Sequence, residues 1–187
     1  MKERKKEKKQ MKFNSEESIK VLKYAVEKEK AAEDFYTEKA QTVHEPAARG
    51  IFKDLAGDEH KHFEMVSALL NQAESGAKTS SITLPPTSSP KERVEAIFNQ
   101  LKGGKLPHLT EKATAKEVLT FALELEKQSF DHYSQAAEDT ENNETVAVYR
   151  FLAGEENKHY IMIDNAIDFI EDPGRWLYEE ENLIFRL

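Results

Sequence analysis

Three residues able to hold a divalent cation occur twice in this chain at one spacing. Glu29, Glu59 and His62 return as Glu126, Glu156 and His159, each 97 positions on (126−29, 156−59, 159−62). Carboxylate oxygens and imidazole nitrogens are the donors that iron, manganese and zinc accept, and donors that recur as a set mark a metal site. The register continues around them: LAGDEHKH at 55–62 is matched by LAGEENKH at 152–159, and Ala25, Glu27, Lys30, Tyr36 and Ala40 reappear as Ala122, Glu124, Lys127, Tyr133 and Ala137. The period is longer than that of solenoid repeats, so the chain reads as two halves of one domain.

The elements that must position these residues are four long helices. The first is predicted from a capping residue at Asn14 or Ser15 to about Thr42, with Leu22, Ala25, Glu29, Ala32 and Tyr36 on its inward face and Glu27 and Lys30 outside it. Pro46 suits the first turn of a second helix reaching about Gln72. Ser89 and Pro90 open a short helix to Leu101, and Thr114 with Glu117 forms a capping box for a third long helix to about Thr140. The fourth spans about Glu144 to Ile170, where Asp172, Pro173 and Gly174 stop it.

Glu29 stands about 15 residues before the first turn and Glu59 about 15 after it, so at 1.5 Å per residue the chain climbs and returns by roughly equal amounts. The two carboxylates meet at one level, and the same holds for Glu126 and Glu156 around the turn near Asn142. Within each return helix, Glu and His three apart share a face. Six donors therefore converge. Four carboxylates buried together are costly unless cations compensate them, and four oxygen donors with two imidazoles suit a pair of iron or manganese ions better than a tetrahedral zinc. His44, His60 and His108 lack repeat partners and read as surface histidines. His132, at the position of Phe35, reads as packing, and Phe35, Phe52, Phe63, Tyr149 and Tyr160 as core.

The composition agrees with long, solvent-washed helices. A third of the 187 residues are charged, and the net charge of −8 divides into about +5 over residues 1–12 and −13 over the rest. An acidic body offers no broad basic face for phosphates, so no nucleic-acid partner is expected. With no cysteine in the chain, Cys-ligated iron or zinc and thiolate catalysis are excluded. No apolar run approaches the ~20 residues that span a bilayer, and a cytoplasmic protein without membrane contact is expected. Residues 1–13 are expected to be a disordered basic extension, with initiation at Met11 or a docking arm for an acidic partner as alternatives. Residues 14–170 form the bundle, residues 73–113 its crossover with a short helix near 90–101, and residues 171–187 pack on the bundle or on a partner subunit.

The motifs ExxAxxFY (Glu29 to Tyr36), ExxSxxHY (Glu126 to Tyr133), LAGDEHKH and LAGEENKH resemble those of the ferritin-like di-iron carboxylate family, and within it the rubrerythrin branch. The resemblance spans roughly Ser15 to Ile170. It implies an all-α, ferritin-like four-helix bundle of two duplicated hairpins joined by a long crossover. It also implies two iron ions per chain, with manganese or zinc as alternatives, bridged by Glu59 and Glu156. Glu29 and Glu126 would be terminal ligands, with one histidine on each ion. Asp58 and Glu155 would accept the second ring N–H of the opposite histidine, and Tyr36 and Tyr133 would hydrogen-bond to ligand carboxylates unless they are simply core aromatics.

Two departures qualify the resemblance. Many rubrerythrins carry a further Glu three residues after the third-helix ligand, where this chain has Ser129, which favours a symmetric six-ligand site without ligand exchange. A Cys₄ rubredoxin module is missing, so electrons must come from a rubredoxin-like or other redox protein, or from ferrous iron itself. The expected function is an oxidoreductase that reduces hydrogen peroxide or dioxygen at the di-metal centre, assembled as a homodimer. The alternatives are a ferroxidase that stores or passes on iron, and a non-catalytic helical interaction protein stabilised by metal.

Overall fold

The computed structural model describes residues 16–76, 109–140 and 143–174. Their apolar periodicity folds as four helices: α1 (Glu16–Thr42), α2 (Pro46–Ser75), α3 (Leu109–Asp139) and α4 (Asn143–Glu171). The basic extension, the Asn14 or Ser15 cap, the short helix expected near 90–101, most of the crossover and the C-terminal aromatic segment lie outside the described residues.

Local chemistry fixes the helix ends. Pro46 occupies the first turn of α2, where its missing N–H is not needed, and the side chain of Glu45 accepts the Ala48 N–H at 2.5 Å. At the other end Gly76 takes a left-handed conformation (φ 65°) and returns its N–H to the Ala73 carbonyl, so α2 runs past Gln72 to the first residue that can adopt that cap cheaply. The third helix starts at Leu109 instead of Thr114. Nothing in the intervening LTEKA opposes a helix, so Thr114 and Glu117 fall within it.

The turn between α1 and α2 is three residues long, Val43 to Glu45. Arg49 holds it closed, donating from Nε to the Val43 carbonyl (3.3 Å) and from Nη2 to the His44 carbonyl (3.2 Å). A turn this short leaves no slack in register. Glu29 lies 14 residues before Val43 and Glu59 lies 14 after Glu45 (43−29, 59−45), so both stand about 21 Å from the turn.

Helices α1 and α2 pack as one hairpin and α3 and α4 as the other, and the hairpins meet chiefly through α2 and α4. Tyr36 reaches Glu126 while Tyr133 reaches Glu29, which sets α1 and α3 antiparallel and hence α2 and α3 parallel. The end of α2 and the start of α3 are therefore at opposite ends of the bundle. The molecule is the ferritin-like four-helix bundle that the sequence implies.

Two apolar clusters flank the middle of the bundle, and they are copies of each other. One contains Ile51, Phe52, Leu55, Leu119, Ala122, Ile163, Ala166 and Ile170, and the other Val148, Tyr149, Leu152, Leu22, Ala25, Val66, Leu69 and Ala73, each 97 positions from its counterpart. Each cluster combines the turn end of one hairpin with the open end of the other. Neither half can thus complete a core alone, and the duplication folds as one domain.

Replacing Glu45 with Ala should remove the α2 cap and lower stability by ~1 kcal/mol, while Glu45→Gln, which keeps an acceptor, should retain most of it. Urea denaturation of both variants measures this; an unchanged midpoint for the Ala variant would contradict the capping role.

Candidate metal centre

Glu29 and Glu126 reach the centre of the bundle from α1 and α3, and Glu59 with His62 and Glu156 with His159 reach it from α2 and α4. All six residues are at most 3% exposed, although glutamate is rarely found so buried. The inward phase of α1 holds in the structure: Leu22, Ala25, Glu29 and Tyr36 are buried, Ala32 is half-buried, and Glu27 and Lys30 face solvent.

Donor atoms gather in two groups, within each of which every atom lies within 4.8 Å of the others. Glu29, Glu59, His62 and Glu156 form one; Glu59, Glu126, Glu156 and His159 form the other. Glu59 and Glu156 belong to both, so they stand between two coordination positions. In each histidine it is Nδ1 that turns inward. Nδ1 of His62 is 3.3 Å from Glu59 Oε2 and 3.4 Å from Glu29 Oε2, and Nδ1 of His159 is 2.9 Å from Glu59 Oε1, 3.5 Å from Glu126 Oε2 and 3.9 Å from Glu156 Oε2. The two imidazole rings stack with centroids 5.6 Å apart.

These atoms are close without being satisfied. Glu29 Oε2, Glu59 Oε1 and both ring nitrogens of His159 are buried with no hydrogen bond of acceptable geometry, even though Glu59 Oε1 and His159 Nδ1 are only 2.9 Å apart. Buried polar atoms are ordinarily paired, and leaving one unpaired costs ~1–3 kcal/mol. Donor atoms that aim at a common point instead of at each other are what a coordinated cation requires, so the donor set fits a divalent pair.

The surrounding shell fixes the outer atoms. The Tyr36 hydroxyl donates to Glu126 Oε1 and the Tyr133 hydroxyl to Glu29 Oε1, each crossing from one hairpin to the other. Each tyrosine ring is in turn stacked on an aromatic of its own return helix, Tyr36 on Phe52 and Tyr133 on Tyr149. Burial and the neighbouring carboxylates push both phenols well above their ordinary pKa, so they remain donors. Asp58 Oδ2 lies 3.5 Å from His159 Nε2, across the hairpins. Glu155, its repeat counterpart, receives Lys158 Nζ at 2.6 Å, and Asp58 likewise receives Lys61 at 2.9 Å. The two lysines were not singled out in the sequence, yet they were visible there as the conserved-in-register Lys of the repeated octapeptide (158−61 = 97).

The remaining histidines are peripheral or structural. His60 is exposed and meets Glu33, His44 is exposed, and His132 packs its ring against Tyr24; His108 is outside the described residues. Phe52 and Tyr149 are fully buried, while Phe35, Phe63 and Tyr160 are half-buried.

Charge is divided unequally across the cluster. Burial raises Glu29 to about 7 despite the opposing pull of His62, and burial with Glu59 and Glu126 raises Glu156 strongly. For Glu59 burial pulls upward as well, but His159 and His62 outweigh it and hold it below the ordinary carboxylate range. Burial lowers the imidazoles, and the glutamates overturn that effect: His62 is raised to about 9 by Glu29 and Glu59, and His159 is raised strongly by Glu59 and Glu126.

A four-helix bundle that buries a carboxylate–histidine cluster between two hairpins is the architecture of the ferritin-like carboxylate proteins. The chain belongs to the rubrerythrin family: the family model Rubrerythrin matches it over residues 3–70 and 20–167. No curated protein and no solved structure matches it. Among the described residues no helix is long and apolar enough to cross a membrane.

His62, raised to about 9, and Glu29, raised to about 7, must lose their protons before they can bind a cation, and the upward shifts of His159 and Glu156 act in the same direction, so metal uptake at pH 7 should release roughly one or more protons per chain. Affinity should rise with pH between about 6 and 9, because each raised group loses its proton over that range or above it. Calorimetric titration in buffers of different ionisation enthalpy counts the protons, and uptake without release would contradict the assignment.

Proposed function

We propose that the chain is a di-iron oxidoreductase that reduces hydrogen peroxide at a carboxylate-bridged metal pair. The observation that carries this reading is the convergence of buried, unpaired donor atoms into two groups sharing Glu59 and Glu156. Family membership supports it, since rubrerythrins typically bind two irons and are often oxidoreductases.

In this reading Glu59 and Glu156 bridge, Glu29 and Glu126 are terminal ligands, and Nδ1 of His62 and of His159 completes one position each. Four carboxylates match the four positive charges of two divalent cations, which offsets the desolvation of both. When bound, a ferrous pair supplies the two electrons that, with two protons, convert hydrogen peroxide to two molecules of water. The protein holds the geometry around that chemistry. Tyr36 and Tyr133 occupy the outer oxygens of Glu126 and Glu29, leaving the inner oxygens for metal, and the Asp58 carboxylate, 3.5 Å from His159 Nε2, would favour that ring orientation through its charge. The stacked aromatics keep both phenols from turning away.

Electrons would come from an external redox protein or from ferrous iron. A ferroxidase that releases or stores its oxidised metal uses the same donors and differs in what leaves the site. Anaerobic loading with Fe²⁺, followed by stopped-flow mixing with hydrogen peroxide or oxygen separately, distinguishes them. The expected result is two irons per chain, oxidised much faster by peroxide, retained, and active again after re-reduction. Rapid reaction with oxygen and accumulation of many irons per chain would establish storage instead, and the absence of stoichiometric binding would exclude both.

A further inference from the structure

Helices α1 and α3 stand apart on the side of the bundle away from the α2–α4 contact, leaving a groove of about 340 Å³. Its lining is made of pairs related by the 97-residue repeat, Tyr24 with Phe121 and Phe35 with His132, and between the helices Tyr24 packs on His132 (ring centroids 4.4 Å apart) as Phe35 does on Phe121 (5.6 Å). The groove therefore lies on the pseudo-twofold axis of the domain. Its rim is unusually apolar for a solvent-facing surface, with Phe121 56% and Tyr24 39% exposed.

The groove leads inward. Lys28, Ala32, Leu125 and Ser129 line both it and a recess of about 20 Å³ whose floor is Glu29, Glu59, Glu126 and Glu156. The imidazoles do not line that recess. These four residues are again two repeat pairs, Lys28 with Leu125 and Ala32 with Ser129. Small side chains at Ala32 and Ser129 keep the passage open, and the recess has room for about one water-sized group. The volume outside it is in the range of small-molecule pockets, ~300 Å³ and upward. A molecule entering on the axis meets both metal positions symmetrically.

We propose that the groove is a subsite for the organic part of an alkyl or aryl hydroperoxide, whose O–O–H head passes between Ala32 and Ser129 to the carboxylate floor. This rests on the peroxidase reading above and names a substrate class for it. Hydrogen peroxide would fill the recess and leave the aromatic groove unused, whereas R–O–O–H fills both. The O–O bond breaks, two Fe²⁺ each give one electron and become Fe³⁺, two protons come from solvent, and the products are R–OH and water. The walls recognise R through aromatic and apolar contact, with no charged group required on the substrate.

The test compares cumene hydroperoxide with hydrogen peroxide on the iron-loaded full chain and on Phe121→Ala, a change at the exposed rim that touches no donor. In parallel, ligand-observed NMR follows binding of 2-phenyl-2-propanol, the alcohol product, to both as-isolated chains. The expected result is turnover of cumene hydroperoxide with a KM below that of hydrogen peroxide. In Phe121→Ala the KM for cumene hydroperoxide and the alcohol's Kd should rise about tenfold, the scale of one lost aromatic contact, with hydrogen peroxide kinetics unchanged. Turnover of hydrogen peroxide alone, equal effects of the variant on both peroxides, or no binding of the alcohol would overturn the proposal. If Phe121→Ala instead dissociates a dimer and leaves both substrates and the alcohol unaffected, the groove is an interface between copies and the proposal falls. Failure to reduce either peroxide while the alcohol still binds in a Phe121-dependent way would overturn the peroxidase reading, and the substrate class with it, but not the groove's affinity for an apolar ligand.

Discussion

Burying four carboxylates and two imidazoles halfway along a helical bundle is the constraint to which the rest of the structure answers. Each ion removed from water costs several kcal/mol even after relaxation, so no arrangement of six such groups is stable without compensation. Part of the compensation is internal: the glutamates raise the pKa of both imidazoles, burial raises that of Glu156, and two phenols occupy the outer oxygens of Glu126 and Glu29. The two apolar clusters on either side supply the burial that holds the helices together across this polar band. What remains uncompensated at the centre, Glu29 Oε2, Glu59 Oε1 and His159 Nδ1, is the part a cation pair would satisfy.

Duplication makes that solution accessible to a small chain. Because each apolar cluster takes one hairpin's turn and the other's open end, the two halves are obliged to associate, and association alone doubles the donor set. The symmetry is not complete, and its departures are informative. Tyr149 stands where Phe52 does and carries a buried hydroxyl without a partner, and Glu59 and Glu156 are held in opposite protonation directions despite equivalent positions. Asp58 and Glu155 each receive the lysine three residues on, and Asp58 also lies 3.5 Å from Nε2 of the opposite histidine.

Much of this was legible in the sequence because repetition and helical phase both survive without coordinates. Glu29 in an apolar stripe is anomalous on sight, and its recurrence with Glu59 and His62 at a fixed offset leaves few explanations besides a shared site. Helix ends were less legible: Leu109–Ala113 carry neutral propensity, so a persuasive capping box at Thr114 misplaced the start of α3. The crossing of the tyrosine hydroxyls from one hairpin to the other could not be read either, because it depends on how far apart α1 and α3 stand. The groove between those helices escaped for the same reason. Ala32 and Ser129 look like ordinary small core residues until the interhelical distance is known, and only then do they become the sides of a passage.

Anomalous diffraction at the iron edge from crystals of the ferrous-loaded chain tests the central claim most directly. Two peaks per chain are expected roughly 4 Å apart, in keeping with two-metal sites, with Glu59 and Glu156 between them and one histidine Nδ1 on each. A single peak, or iron bound away from Glu59 and Glu156, would contradict a metal pair bridged by these two carboxylates.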